Sequence, residues 1–235
     1  MGYWNQNTFE SLVAIAESIA GEQLWRHFAD YCRLRQQGLR KKSLQSITHL
    51  IADAKDWPVL ERRRFAHWIF ETQYCHPNVY QLIVHPLNQQ LLIPTLNEWK
   101  ERETTNGTPS RLLGLATGDL QRFAEALALN PNDDVSRFRL VVCGLADVDF
   151  QCHHLPHYFI GEPNNAIETL NQAKAMTTGF VDSQIAASLQ DEFEELRCKV
   201  EDWLAFQREG GDSFNDWCRK NGREYQWMKA YYYVP

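Results

Sequence analysis

The sequence predicts an all-α protein built from antiparallel helical hairpins, and three observations carry that expectation. Apolar residues recur every three or four positions along most of the chain. No stretch of sustained apolar–polar alternation lies between turn signals. Pro and Gly punctuate the periodic stretches at spacings that suit short helix-to-helix loops. A helix with one broad apolar stripe must bury it against another helix, so the pattern favours antiparallel packing.

The elements follow in order. Thr8 is placed to cap a helix carrying Phe9, Leu12, Val13, Ala16 and Ile19 on one face. Leu24, Trp25, Phe28, Tyr31 and Cys32 form the stripe of the next, and Gly38 ends it. Leu44, Ile47, Leu50, Ile51 and Ala54 repeat the pattern, and Pro58 suits the first turn of a helix over 59–70. Pro77, Pro86 and Pro94 then cut the chain into shorter segments, and the stretch 78–85 reads as a short helix. The loop 106–109 marks a boundary between an N-terminal half, 1–105, and a C-terminal half, 110–235, unless the whole is one continuous domain. Helices are expected over 119–130, 133–150 and 164–176. A long one is expected over about 182–208, where Ile185, Leu189, Phe193, Leu196, Val200 and Trp203 keep the helical period.

Composition narrows the function classes. The chain has 235 residues, 44% apolar and 23% charged, with 8 Trp, 9 Tyr and 12 Phe. So many large apolar groups argue against disorder. A formal net charge of −6 makes non-specific attraction to nucleic acid or to an anionic membrane an unexpected property. The apolar runs are too short to cross a bilayer. The first ten residues lack a basic, then apolar, secretory pattern, and Gln6 spoils the myristoylation pattern that Gly2 begins. The protein therefore reads as cytoplasmic. The six cysteines are scattered with no C-x-x-C pair, as expected of free, mostly buried thiols. No phosphate-loop, dinucleotide, zinc-protease or nucleophile-elbow motif is present, which leans against an enzyme, and no cofactor is expected.

Phe123, Ala126 and Pro131 share the spacing of a large residue, a small residue and a terminating proline. In this they resemble the end of a tetratricopeptide unit. Ala166, Leu170 and Ala173 form a related pattern in which Ala173 lies 47 residues downstream of Ala126, against a family period of about 34. The first-helix signature of that family is missing. The resemblance covers about residues 110–178. It implies right-handed stacking of hairpins and a concave groove that binds a partner protein. The stretch Gly210–Phe214 resembles the nucleophile block of GDSL-type hydrolases. It follows a long helix near the C-terminus instead of an early strand, so Asp212 or Ser213 is expected to cap the next helix.

The densest chemical stretch is 149–163, where Cys152, His153, His154 and His157 fall within six residues. A metal site needs three or four ligands converging on one point. Pro156 disfavours helix at Leu155, so the helix should end near His154 and aim His153 and His154 in different directions. Imidazoles at a helix C-terminus also serve its open carbonyls and its negative dipole end. The stretch is therefore expected to be a structural junction. Were it a catalytic centre, His153 and His154 would act as base or ligands with Glu162 and Asp149 as carboxylate partners. Were it a metal site, Cys152, His153, His154 and His157 would be the ligands.

Charge is uneven. Residues 26–64 hold ten Lys/Arg against four Asp/Glu, and residues 182–209 hold eight Asp/Glu against three Lys/Arg. The aromatic tail is expected to dock on the protein itself or to anchor another chain. Residues His153, His154, Tyr158, Trp227 and Tyr231 are the candidates for partner binding. The function that fits best is a non-enzymatic cytoplasmic protein-interaction module, binding a partner protein in a helical groove. An accessory or toxin-neutralising (immunity) role in a bacterium suits such a protein, though no residue selects it. The alternatives are a hydrolase or metal-binding protein centred on His153 and His154, and a nucleic-acid binder using residues 33–64.

Overall fold

A computed structural model describes residues 6–76, 78–79 and 81–227, and among these the chain is helical throughout, with no strand. It divides into two compact units, residues 1–129 and 130–235. Among the described residues no helix is long and apolar enough to cross a membrane.

The first unit contains α1 (Gln6–Ser18), α2 (Arg26–Gln36), α3 (Arg40–Asp53), α4 (Val59–Cys75), the single turn α5 (His85–Leu87), α6 (Ile93–Arg102), α7 (Thr108–Thr117) and α8 (Leu120–Leu129). Successive helices pack as hairpins, α1 on α2, α2 on α3, α6 on α7 and α7 on α8, while α4 lies against α6 and α7. The apolar stripes meet in a core that includes Leu12, Ile15, Phe28, Tyr31, Ile47, Leu50, Phe65 and Ile69. Phe65 is its hub: Trp25 and Phe28 stand edge-on to it, at centroid distances of 5.2 and 5.5 Å. Leu24, placed on the same stripe by its spacing, is exposed, because a 3-10 turn over Gln23–Trp25 precedes α2 and shifts its register. Gly38 ends α2 as expected. Its φ of +74° admits a Schellman closure, in which the Gly38 and Leu39 N–H groups donate to the Arg35 and Leu34 carbonyls.

Several local expectations are corrected. Thr8 lies inside α1 instead of capping it, and its hydroxyl donates to the Asn78 carbonyl at 3.1 Å. The described residues of 78–84 are turns and bends, not a helix; Val79 and Leu82 are buried there and pin the loop to the core. The segments around Pro86 and Pro94 form a nearly continuous helical run, 85–102. Pro94 has no N–H to donate, and a π turn over Asn88–Leu92 precedes it and absorbs the mismatch. The loop 106–109 lies inside the first unit, and the division falls at Leu129 and Asn130. Close packing explains this: a Cβ on Gly107 would come within 2.9 Å of the Ala126 carbonyl, so α8 sits directly on that loop. Phe123 and Ala126 are both buried, and a Cβ on Gly114 would meet the Phe123 ring at 2.8 Å. Such burial is common to close helical hairpins generally.

The second unit contains α9 (Asp134–Cys152), α10 (Pro163–Thr177), α11 (Ser183–Ser188), α12 (Gln190–Glu209) and α13 (Phe214–Lys220). α9, α10 and α12 pack on one another, burying Val141, Leu145, Val148, Leu170, Phe193, Leu196 and Val200. Asp133 caps α9 by accepting the Ser136 N–H. The long helix expected over 182–208 is two helices, although its stripe is in register from Leu189 to Trp203. The chain turns at Leu189, whose N–H reaches back three residues to Ala186, and Asp182 caps α11 separately. Ser213 caps α13, its hydroxyl accepting the Asp216 N–H at 3.4 Å, so this serine terminates a helix.

Candidate functional site

The histidine-rich stretch lies wholly in the second unit. α9 ends at Cys152, with His153 as its C-cap, just before the break expected from Pro156. The chain then turns tightly. The Leu155 N–H donates to the Cys152 carbonyl, the His157 and Tyr158 N–H groups donate to the His154 carbonyl, and the Ile160 N–H returns to the Gln151 carbonyl. The Leu155–Pro156 peptide is cis. Leu155 and Phe159 are buried and anchor the loop to the core, leaving His153, His157 and Tyr158 facing solvent.

The side chains do not converge. His153 and His154 are edge-on to each other at 5.2 Å and 84°, while His154 stacks on Tyr158 at 4.6 Å and 22°. Cys152 is buried, and burial pushes its thiol up to about 12, outweighing the nearby Lys199, so it is not a ready thiolate ligand. Among the described residues, no three His, Cys, Asp or Glu side chains are grouped so as to hold a metal. Asp149 and His153 line one small hollow of about 50 Å³ with Cys152, Leu155, Lys199, Gln226 and Trp227. That volume admits a water or two. It is far below the roughly 300–1,000 Å³ of a small-molecule site. Glu162 stands exposed at the N-cap of α10.

Trp227 is docked. Its indole N–H donates to the Asn215 carboxamide oxygen at 3.0 Å, and its ring packs on Phe214 and Tyr225. Tyr225 donates to the buried Asp202 carboxylate, which also pairs with Arg223 at 3.1 Å. Burial first, and then Asp202, hold the Tyr225 hydroxyl well above the usual range, so it stays a donor. Tyr231 lies outside the described residues.

The sequence pattern passed over Phe150. The buried stripe of α9 is Val141, Leu145, Val148 and Cys152, and Phe150 falls between its last two members, on the opposite side of the helix. It is 61% exposed, and Tyr158 is 48% exposed. An aromatic out of register with its own helix's stripe was the legible signal. Phe150 lies in the last turn of α9, and Tyr158 lies on the loop that follows, where His154 stacks on it.

In the first unit, five cations of the basic segment are engaged in ion pairs. Arg26 pairs with Asp53, Arg33 with Asp30, Arg62 with Glu98 and Arg63 with Glu103, and Arg64 pairs with both Glu22 and Glu61.

No family model matches the chain, and neither a curated protein nor a solved structure matches it.

Proposed function

We propose that the protein is a protein-interaction module whose contact surface lies on the second unit, where α9 ends beside its hairpin partner α10. The observation that carries this reading is the exposure of two large aromatics, Phe150 in the last turn of α9 and Tyr158 on the following loop, whose backbone is tied back to that helix. Aromatic side chains with few rotatable bonds, presented on an ordered support, supply much of the energy of protein interfaces. The small size of the hollow nearby favours recognition over chemistry at this place. His153, His154 and Tyr158 then serve as contact residues, and Trp227, held by Asn215 and Phe214, lines the small hollow beside His153.

The test is affinity capture from source cells with wild-type protein, a Phe150→Ala/Tyr158→Ala variant and a His153→Ala/His154→Ala variant. The reading expects one stoichiometric partner with wild type, lost or at least tenfold depleted with the aromatic variant. Equal recovery with wild type and the aromatic variant would remove the surface from consideration. A variant in which only the histidine pair matters would move the site to the hollow.

A further inference from the structure

We infer that the first unit binds a small phosphate-bearing anion in a cavity where α2 ends and α3 begins. The cavity measures about 560 Å³. That is within the roughly 300–1,000 Å³ of a small-molecule site. Its lining supplies two guanidinium groups, from Arg35 and Arg40, and three carboxamides, from Gln36, Gln37 and Gln81; among the described residues it includes no Asp or Glu. Arg35 is only 8% exposed, although its side chain borders this space. A guanidinium has five N–H donors, enough to serve the chain and a ligand together. The far wall is fixed in place, because the Tyr31 hydroxyl donates to the Gln81 carbonyl.

The backbone at the same place also suits an anion. Arg40, which lines the cavity, is the first residue of α3, and Lys41 and Lys42 complete a first turn that holds no acid and has no side-chain cap. The Leu39 and Arg40 N–H groups donate to the Leu34 and Gly38 carbonyls, so the open donors of this helix start are those of Lys41 and Lys42. Cations at the positive end of a helix dipole raise the local potential and cost stability unless an anion offsets them. Elsewhere in the basic segment Arg26, Arg33, Arg62, Arg63 and Arg64 are neutralised by carboxylates, whereas Arg40, Lys41 and Lys42 make no ion pair among the described residues. Phosphate fits better than a lone carboxylate. Its oxygens match the guanidinium fork equally well, and its second charge answers more than one cation. A small molecule fits better than a nucleic acid, because five of the ten cations of residues 26–64 are consumed in ion pairs and no continuous basic track is left. The carboxamides, which both donate and accept, suit a polar body attached to the phosphate.

The experiment is an amide-resolved NMR titration of the full chain with inorganic phosphate, pyrophosphate, acetate and an oligothymidylate, all at constant ionic strength. The expected result is saturable shifts of the Gly38, Arg40, Lys41 and Lys42 amides with phosphate and pyrophosphate, and at least tenfold weaker binding of acetate. Arg35→Gln should weaken pyrophosphate binding tenfold or more and Arg40→Gln several-fold. Arg219→Gln, on α13 of the second unit, controls for general basicity and should leave it unchanged. Where Arg35→Gln fails to fold, Arg40→Gln and the wild-type shift map decide. No saturable shift with millimolar phosphate or pyrophosphate, shifts confined to other residues, equal affinity for acetate, indifference to Arg40→Gln, or equal loss with Arg219→Gln would each overturn the inference. So would tighter binding of the oligothymidylate than of pyrophosphate, which would mark the segment as a nucleic-acid surface.

Discussion

The two units spend their charges differently. Residues 1–129 hold 14 Lys/Arg and 13 Asp/Glu, and several of their ion pairs link separate helices, Arg26 of α2 with Asp53 of α3, Arg62 of α4 with Glu98 of α6 and Lys100 of α6 with Glu125 of α8, beside local pairs such as Arg33–Asp30 and Arg102–Glu98. The second unit holds 17 Asp/Glu and 10 Lys/Arg. Most of its pairs lie within one helix, as in Arg197–Glu201, Lys199–Glu195 and Arg219–Asp216. The first unit therefore uses part of its surface charge to join its own hairpins, whereas the pairs of the second mostly brace single helices. The lesson is that where a charged group sits on its helix, more than its presence, decides whether it contributes to tertiary packing.

Four substitutions sharpen or break this contrast. The largest effect is expected at the aromatic hub of the first unit. Phe65→Ala should cost about 3–5 kcal/mol of unfolding free energy in urea, because Trp25, Phe28 and Trp57 all lean on that ring. A loss below about 1 kcal/mol would mean that the core closes elsewhere. Next is Asp202, a buried carboxylate of the second unit, only 7% exposed and bound by both Tyr225 and Arg223. Asp202→Ala leaves the Tyr225 hydroxyl without its acceptor and should cost about 1–3 kcal/mol. Intrinsic fluorescence should shift to the red as Trp227 loosens. The smallest effect contrasts the two kinds of ion pair. Arg62→Gln breaks a half-buried link between α4 and α6 and should cost about 0.5–1 kcal/mol, while Arg219→Gln, in a pair within one exposed turn, should change stability by less than about 0.5 kcal/mol. Equal costs would erase the distinction between the units.

Much of this was legible from residue spacing, and what was not has physical causes. The stripes through Leu12, Phe28, Leu50, Leu145 and Val200 are buried as their period requires, because helix packing depends mainly on which face is apolar. The stop at Gly38 and the end of α9 before Pro156 follow from backbone rules that act locally. Other features depend on contacts that spacing does not encode. Thr8 is drawn into a helix whose side reaches Asn78, seventy positions away. The turn at Leu189 interrupts a stripe that would have run through unbroken, and the closeness of α8 to Gly107 moves the unit boundary. At the candidate site, Pro156 foretold the end of α9, whereas the edge-to-face contact of His153 and His154 was not legible in the spacing. The stack of His154 on Tyr158 depends on the tight turn that follows. Phe150 stands out of register with its helix's apolar stripe, and its exposure is seen only in the structure.

The central claim is that Phe150 and Tyr158 face solvent to bind and not to hold the fold. Paired measurement of unfolding free energy and partner capture on Phe150→Ala/Tyr158→Ala tests it most directly. The expected result is a stability change within about 1 kcal/mol together with loss of the captured partner. A loss of stability above about 3 kcal/mol, or undiminished capture at unchanged stability, would contradict it.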